Sequence, residues 1–128
     1  MDRQKIIEVL GLVPNGGLSV TDIQMVHWGR DLVLACRYQT TPLTTSPDPP
    51  VHFNLVFHDC REIRYKVYAH IGEHEQGQVT PVADVAELLL GHGNHRRDAN
   101  ILTNHFGLTI TYGKVTAERD DERYDLED

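Results

Sequence analysis

The sequence predicts a single α+β domain: a mostly antiparallel sheet of five or six strands built from consecutive hairpins, with two or three short helices packed mainly on one face. Three observations carry this. Val51 to Ile71, VHFNLVFHDCREIRYKVYAHI, alternates apolar and polar residues on both sides of a short turn. Leu18 to Tyr38 repeats that design, and Asp2 to Val13 and Thr80 to Leu90 space their apolar residues as amphipathic helices do. The length of 128 residues suits one domain with a core that needs no metal or disulfide staple.

Taken in order, Asp2 to Val13 predicts a helix with Ile6, Ile7, Val9, Leu10 and Val13 on one face and Asp2 as its cap, ended by Pro14, Asn15, Gly16 and Gly17. Leu18 to Tyr38 predicts a hairpin turning at Gly29 and Arg30, since glycine at the first loop position suits a type II′ turn. That turn sets His27 opposite Leu32, Met25 opposite Leu34 and Ile23 opposite Cys36, and sends Cys36 into the core. Leu32 to Ala35 is apolar on both faces, which predicts a central strand. Thr40 to Pro50, with four prolines, reads as a stiff loop.

Val51 to Ile71 predicts the second hairpin, closed by Asp59, Cys60 and Arg61. Its register sets Phe57 opposite Ile63, Leu55 opposite Tyr65, Phe53 opposite Val67 and Val51 opposite Ala69, because a slip of one residue would turn the apolar residues outward. Thr80 then caps a helix with Pro81 at its first position and Gly91 past its end, and its stripe is Val82, Val85, Ala86, Leu89 and Leu90. Asn94 to His105 reads as a second short helix. Phe106, Leu108, Ile110 and Tyr112 form a strand, followed by a turn or bulge at Gly113. The domain thus spans 1–117, and 118–128 reads as an acidic, mobile tail with too few apolar groups to fold alone.

That tail holds seven acids and two arginines, so it contributes −5 of the net −7 and leaves the body at −2. An acidic chain offers no basic field for nonspecific binding of nucleic acid. No run reaches the roughly 18 apolar residues of a membrane span, and the first residues lack the pattern of a signal peptide. The expected compartment is the cytoplasm, with Cys36 and Cys60 as free thiols.

Eight histidines are the most unusual part of the composition. His70, His74, His92 and His95, with His105 further on, supply enough imidazole nitrogen for a zinc site, although the pairs lack the shared helical face that makes a good ligand set. His58, Asp59, Cys60, Arg61 and Glu62 gather a thiol, an imidazole and carboxylates at one turn. Neighbours on a tight turn usually point apart, so the structural alternative is a turn closed by Asp59. Gly91 to Asp98, with Arg96 and Arg97 before an expected helix start, has the elements of an anion site.

The polar face of the second hairpin joins Arg64, Lys66 and Tyr68 to His52 and Asn54. Tyrosine among basic groups is an interface-like mixture. The leading expectation is therefore a small cytoplasmic binding or regulatory protein that works through a protein-protein interface and self-associates as a homodimer, with no cofactor and no catalytic set. The rival is a metal-dependent or cysteine-dependent enzyme using the histidine-rich loops.

Overall fold

Alternating side chains dominate the folded chain. A computed structural model describes residues 2–40, 49–68, 83–91 and 97–126. Helix α1 spans Arg3–Leu10. The strands are β1 (Gly16–Val26), β2 (Asp31–Thr40), β3 (Val51–His58), β4 (Glu62–Val67), β5 (Ala83–Leu89), β6 (Arg97–Thr103), β7 (Phe106–Tyr112), β8 (Lys114–Arg119) and β9 (Glu122–Asp125), and His27–Gly29 forms a 3-10 turn. All lie in one antiparallel sheet in the order β4-β7-β6-β5-β1-β2-β3-β8-β9. The expected sheet of five or six strands with two or three helices is thus corrected to nine strands with one helix and a 3-10 turn among the described residues.

The sheet folds back on itself. Phe57 of β3 meets Tyr112 of β7 edge to face, with ring centroids 5.1 Å apart, although four strands separate them in the order. Leu32, Leu34, Leu55, Phe57, Ile101, Leu108, Ile110 and Val115 fill the space between, all buried. α1 closes one end, burying Ile6, Ile7 and Leu10. The ends of the helix are tied to distant strands: the Asp2 N–H donates to the Leu88 carbonyl (2.9 Å), and Arg119 Nη1 donates to the Leu10 carbonyl (3.2 Å). The Asp2 carboxylate, expected as a helix cap, instead accepts the Leu90 N–H.

The second hairpin is also corrected. β3 pairs with β2 and β8, and β4 pairs with β7, so Phe57 and Ile63, Leu55 and Tyr65, and Phe53 and Val67 are not partners, and Ala69, expected opposite Val51, lies outside the described residues. Both strands are amphipathic, and amphipathicity says which face turns inward but not which strand lies alongside. The three residues Asp59, Cys60 and Arg61 form a corner between two parts of the sheet. Its backbone is fixed by bonds from Cys60 N–H to the Arg30 carbonyl (2.7 Å), Arg61 N–H to the Thr111 carbonyl (2.8 Å) and Gly113 N–H to the His58 carbonyl (2.9 Å).

The first hairpin forms with a register two residues away from the expected one, Met25 facing Leu32 and Ile23 facing Leu34. The loop is longer than two residues because His27 and Trp28 both adopt left-handed backbone, at φ 54° and 63°. A shift of two preserves the facing, so Cys36 is buried as expected.

The two helices expected after residue 80 are strands over 83–89 and 97–103. In β5 a bulge falls between Val85 and Glu87, so the buried residues Ala83, Val85, Leu88 and Leu90 are spaced by two, three and two. The step of three imitates a helical period. In β6 the inward positions are Ala99, Ile101 and Thr103, and the buried threonine hides the alternation. The acidic stretch read as a tail begins in β8 and continues through β9, with Leu126 buried.

Candidate functional site: an open sheet edge beside an exposed tryptophan

β4 stands at one end of the strand order and, among the described residues, is bonded along one side only, to β7. Tyr68 N–H donates to the His105 carbonyl across that ladder (3.1 Å). Antiparallel partners alternate between bonded and non-bonded pairs, so the N–H and C=O groups of Ile63, Tyr65 and Val67 point away from β7 toward the open side. A row of outward backbone groups is a template for another strand.

The side chains of that row extend the core into solvent. Ile63, Tyr65 and Val67 lie opposite Ile110, Leu108 and Phe106 of β7. The β7 residues are buried, whereas Tyr65 is 52% and Val67 54% exposed. The Tyr65 ring leans on Phe106, centroids 5.3 Å apart, which holds it along the rim. On the opposite face Arg64 pairs with Glu62, and Lys66 is exposed. Tyr68 crosses over Gly107, where an added Cβ would come within 3.3 Å of the phenolic oxygen and 3.5 Å of Leu102.

The β1–β2 tip lengthens the apolar rim. A Cβ at Gly29 would lie 3.9 Å from both Ile63 Cδ1 and Met25 Sδ, so the glycine of the tip sits between Ile63 at the start of β4 and Met25, itself exposed. Trp28 is fully exposed. Two successive left-handed residues that are not glycine cost on the order of 1 kcal/mol each. Asp31 is the clamp that holds them: its carboxylate takes His27 Nδ1 at 2.9 Å, lies 3.7 Å from His58 Nδ1 and accepts the Asp59 N–H at 3.4 Å. Burial raises the pKa of this carboxyl, but the His27 and Asp59 bonds and the charge of His58 and His27 outweigh it and hold Asp31 below the usual range.

The sequence-predicted residues divide between separate places. Arg64, Lys66 and Tyr68 belong to this edge. His52 and Asn54 lie on β3 and help line an open groove of about 740 Å³ with Thr21, Glu118 and the β8–β9 turn. The arginines of that groove are engaged within it, Arg123 with Glu118 at 2.9 Å and Arg119 with Asp120 at 3.6 Å. Arg97 stands on β6 opposite Tyr112. Arg96, His70, His74, His92 and His95 lie outside the described residues. Among the described residues no three of His, Cys, Asp and Glu are grouped to hold a metal ion. The helix start expected near Asp98 is replaced by β6, and the helix rationale for an anion site there goes with it.

Cys60 is set for inertness. Its thiol donates to the Phe57 carbonyl (3.3 Å), and both nitrogens of His58 are directed elsewhere, to Thr116 at 3.0 Å and to Asp31. Burial, then the negative charges of Asp31 and Asp59, push the thiol up to about 11. An activated thiol needs the reverse.

Sequence reasoning missed Trp28, Met25 and the open edge. The signal for Trp28 was present, since a tryptophan beside the glycine of a hairpin tip has no core to enter; the edge had none, because it depends on which strand takes which partner. Fold and surface together define a predominantly antiparallel β protein with an open edge strand and an aromatic rim. No protein-family model and no curated protein matches the chain. Among the described residues no helix is long and apolar enough to cross a membrane.

Proposed function

We propose that this chain is a small cytoplasmic binding module that docks an extended segment of a partner protein along β4. Strand addition takes its affinity from main-chain hydrogen bonds and its selectivity from alternate side chains. The observation that carries this reading is the coincidence, on one edge, of the outward backbone groups of Ile63, Tyr65 and Val67 with the exposed apolar rim of Met25, Trp28, Tyr65 and Val67. Scattered exposed apolar residues need no explanation, but a contiguous row beside a strand template does. The cysteine-dependent alternative draws no support from Cys60, whose surroundings disfavour the thiolate.

The test is proline at position 65. Tyr65→Pro removes one N–H from the open side while leaving the β7 ladder its bonds, because proline is tolerated on the free side of an edge strand. Peptides with alternating apolar residues, selected on the wild-type protein, should lose at least about tenfold in affinity for this variant, by loss of one main-chain bond and one aromatic contact. His52→Ala, in the distant groove, should bind them unchanged. Peptides that bind Tyr65→Pro normally, with circular dichroism showing it folded, would refute the edge as the docking surface.

A further inference from the structure

We infer that the segment docked on β4 is β4 of a second copy of this chain, paired antiparallel about a two-fold axis at Arg64. The assignment rests on the reading of β4 as a docking edge and adds the identity and register of its occupant. A two-fold contact must be self-complementary, residue i meeting j while j meets i. Five registers keep the apolar residues of both copies on one face and bring open-side backbone groups together. Centred on Val67, the pairing offers only Val67 with itself, and centred on Lys66 it sets Lys66 directly opposite Lys66, a like-charge pair. Centred on Ile63, the pairing offers a single backbone-bonded pair, Ile63 with itself. Centred on Tyr65, it sets Arg64 against Lys66 of the other copy on both sides, and like charges directly opposite are destabilising.

Centred on Arg64, it satisfies backbone and charge together. Ile63 faces Tyr65 of the second copy at two symmetric places, and because both residues present their N–H and C=O outward, four main-chain hydrogen bonds form. Glu62 faces Lys66 of the second copy, again twice. The two central arginines are tolerable because each is already paired with Glu62 of its own chain. On the apolar face Tyr65 of the second copy comes beside Ile63, next to Met25 and the Trp28 turn, where the rim otherwise meets water. The same four residues, Glu62, Ile63, Tyr65 and Lys66, thus supply both halves of the interface.

The register makes a charge-swap test available on the full chain. Sedimentation equilibrium over a wide protein concentration range should show reversible dimerisation. E62K and K66E should each weaken it about ten- to a hundredfold, since each turns two facing attractive pairs into repulsive ones. An equimolar mixture of the two variants should associate again as a heterodimer, because the lysine introduced at position 62 of one copy then meets the glutamate introduced at position 66 of the other. Failure of the mixture to recover, or dimerisation indifferent to both swaps, would overturn the register and with it the assignment. A chain that stays monomeric while selected peptides still lose affinity for Tyr65→Pro overturns the second copy as occupant and leaves the edge reading standing. Hydrogen-exchange protection of Ile63 and Tyr65 that does not vary with protein concentration would also overturn it, since cover within one chain does not dilute.

Discussion

Removing one oxygen atom, in Tyr38→Phe, should loosen the attachment of α1 to the sheet. Tyr38 is buried on β2, and its hydroxyl has two backbone partners: it donates to the Val13 carbonyl at 2.5 Å and accepts the Gly16 N–H at 2.8 Å. Those partners flank the connection between helix and β1. The backbone packs directly on the ring, since a Cβ at Gly16 would lie 2.5 Å from it and no larger residue fits there. Phenylalanine keeps the ring packing and leaves one donor and one acceptor unsatisfied. An unsatisfied buried group costs about 1–3 kcal/mol, so the pair should cost roughly 2–4 kcal/mol after partial relaxation. With an unfolding entropy of about 2.1 cal/mol/K per residue over 128 residues, that lowers Tm by about 7–15 °C. Urea unfolding followed by circular dichroism measures the free energy, and calorimetry the midpoint. A loss below about 0.5 kcal/mol, the scale of an ordinary surface substitution, would refute the view that this hydroxyl anchors the helix connection.

Other outcomes follow from the strained tip and from the two thiols, Cys36 buried and Cys60 half-buried. Trp28→Gly should stabilise the fold by up to about 1 kcal/mol, since glycine adopts φ 63° without the strain a side chain brings, while weakening self-association; equal stability in thermal melts would show that the turn is unstrained. Burial pushes Cys36 to about 12, and burial with Asp31 and Asp59 pushes Cys60 to about 11, from a usual 9.0. Both folded-state values lie above the unfolded one, so the thiols favour folding below pH 9 and that contribution is lost as pH rises from 9 toward 12. Alkylation of Cys60 should therefore be slow at pH 8 and accelerate until about pH 11, whereas a rate that levels off near pH 9 would contradict the shift.

Much of the inward-facing pattern was legible in the residues. Cys36, Phe53, Leu55, Phe57, Leu108, Ile110 and Tyr112 are buried as their alternation requires, and α1 buries Ile6, Ile7 and Leu10 as its periodicity does. The candidate site was legible only in part. Arg64, Lys66 and Tyr68 do lie on one element, but His52 and Asn54, which a β3–β4 hairpin would set beside them, line a groove elsewhere. Trp28 is hidden by a two-residue turn at Gly29 and Arg30, which leaves it inside a strand.

Side-chain alternation is a local property, so the order of residues alone was enough to say which residues of β2, β3 and β7 face inward, that a helix opens the chain, and that the β1–β2 hairpin forms. Long-range packing was needed to pair β3 with β2 and β8, and β4 with β7. It was also needed to make β5, with its bulge, from a helix-like spacing, and to leave β4 as an edge. These are choices among distant backbone partners. Every strand offers the same N–H and C=O groups to any neighbour, so pairing is settled by how the whole set of apolar faces closes around one core.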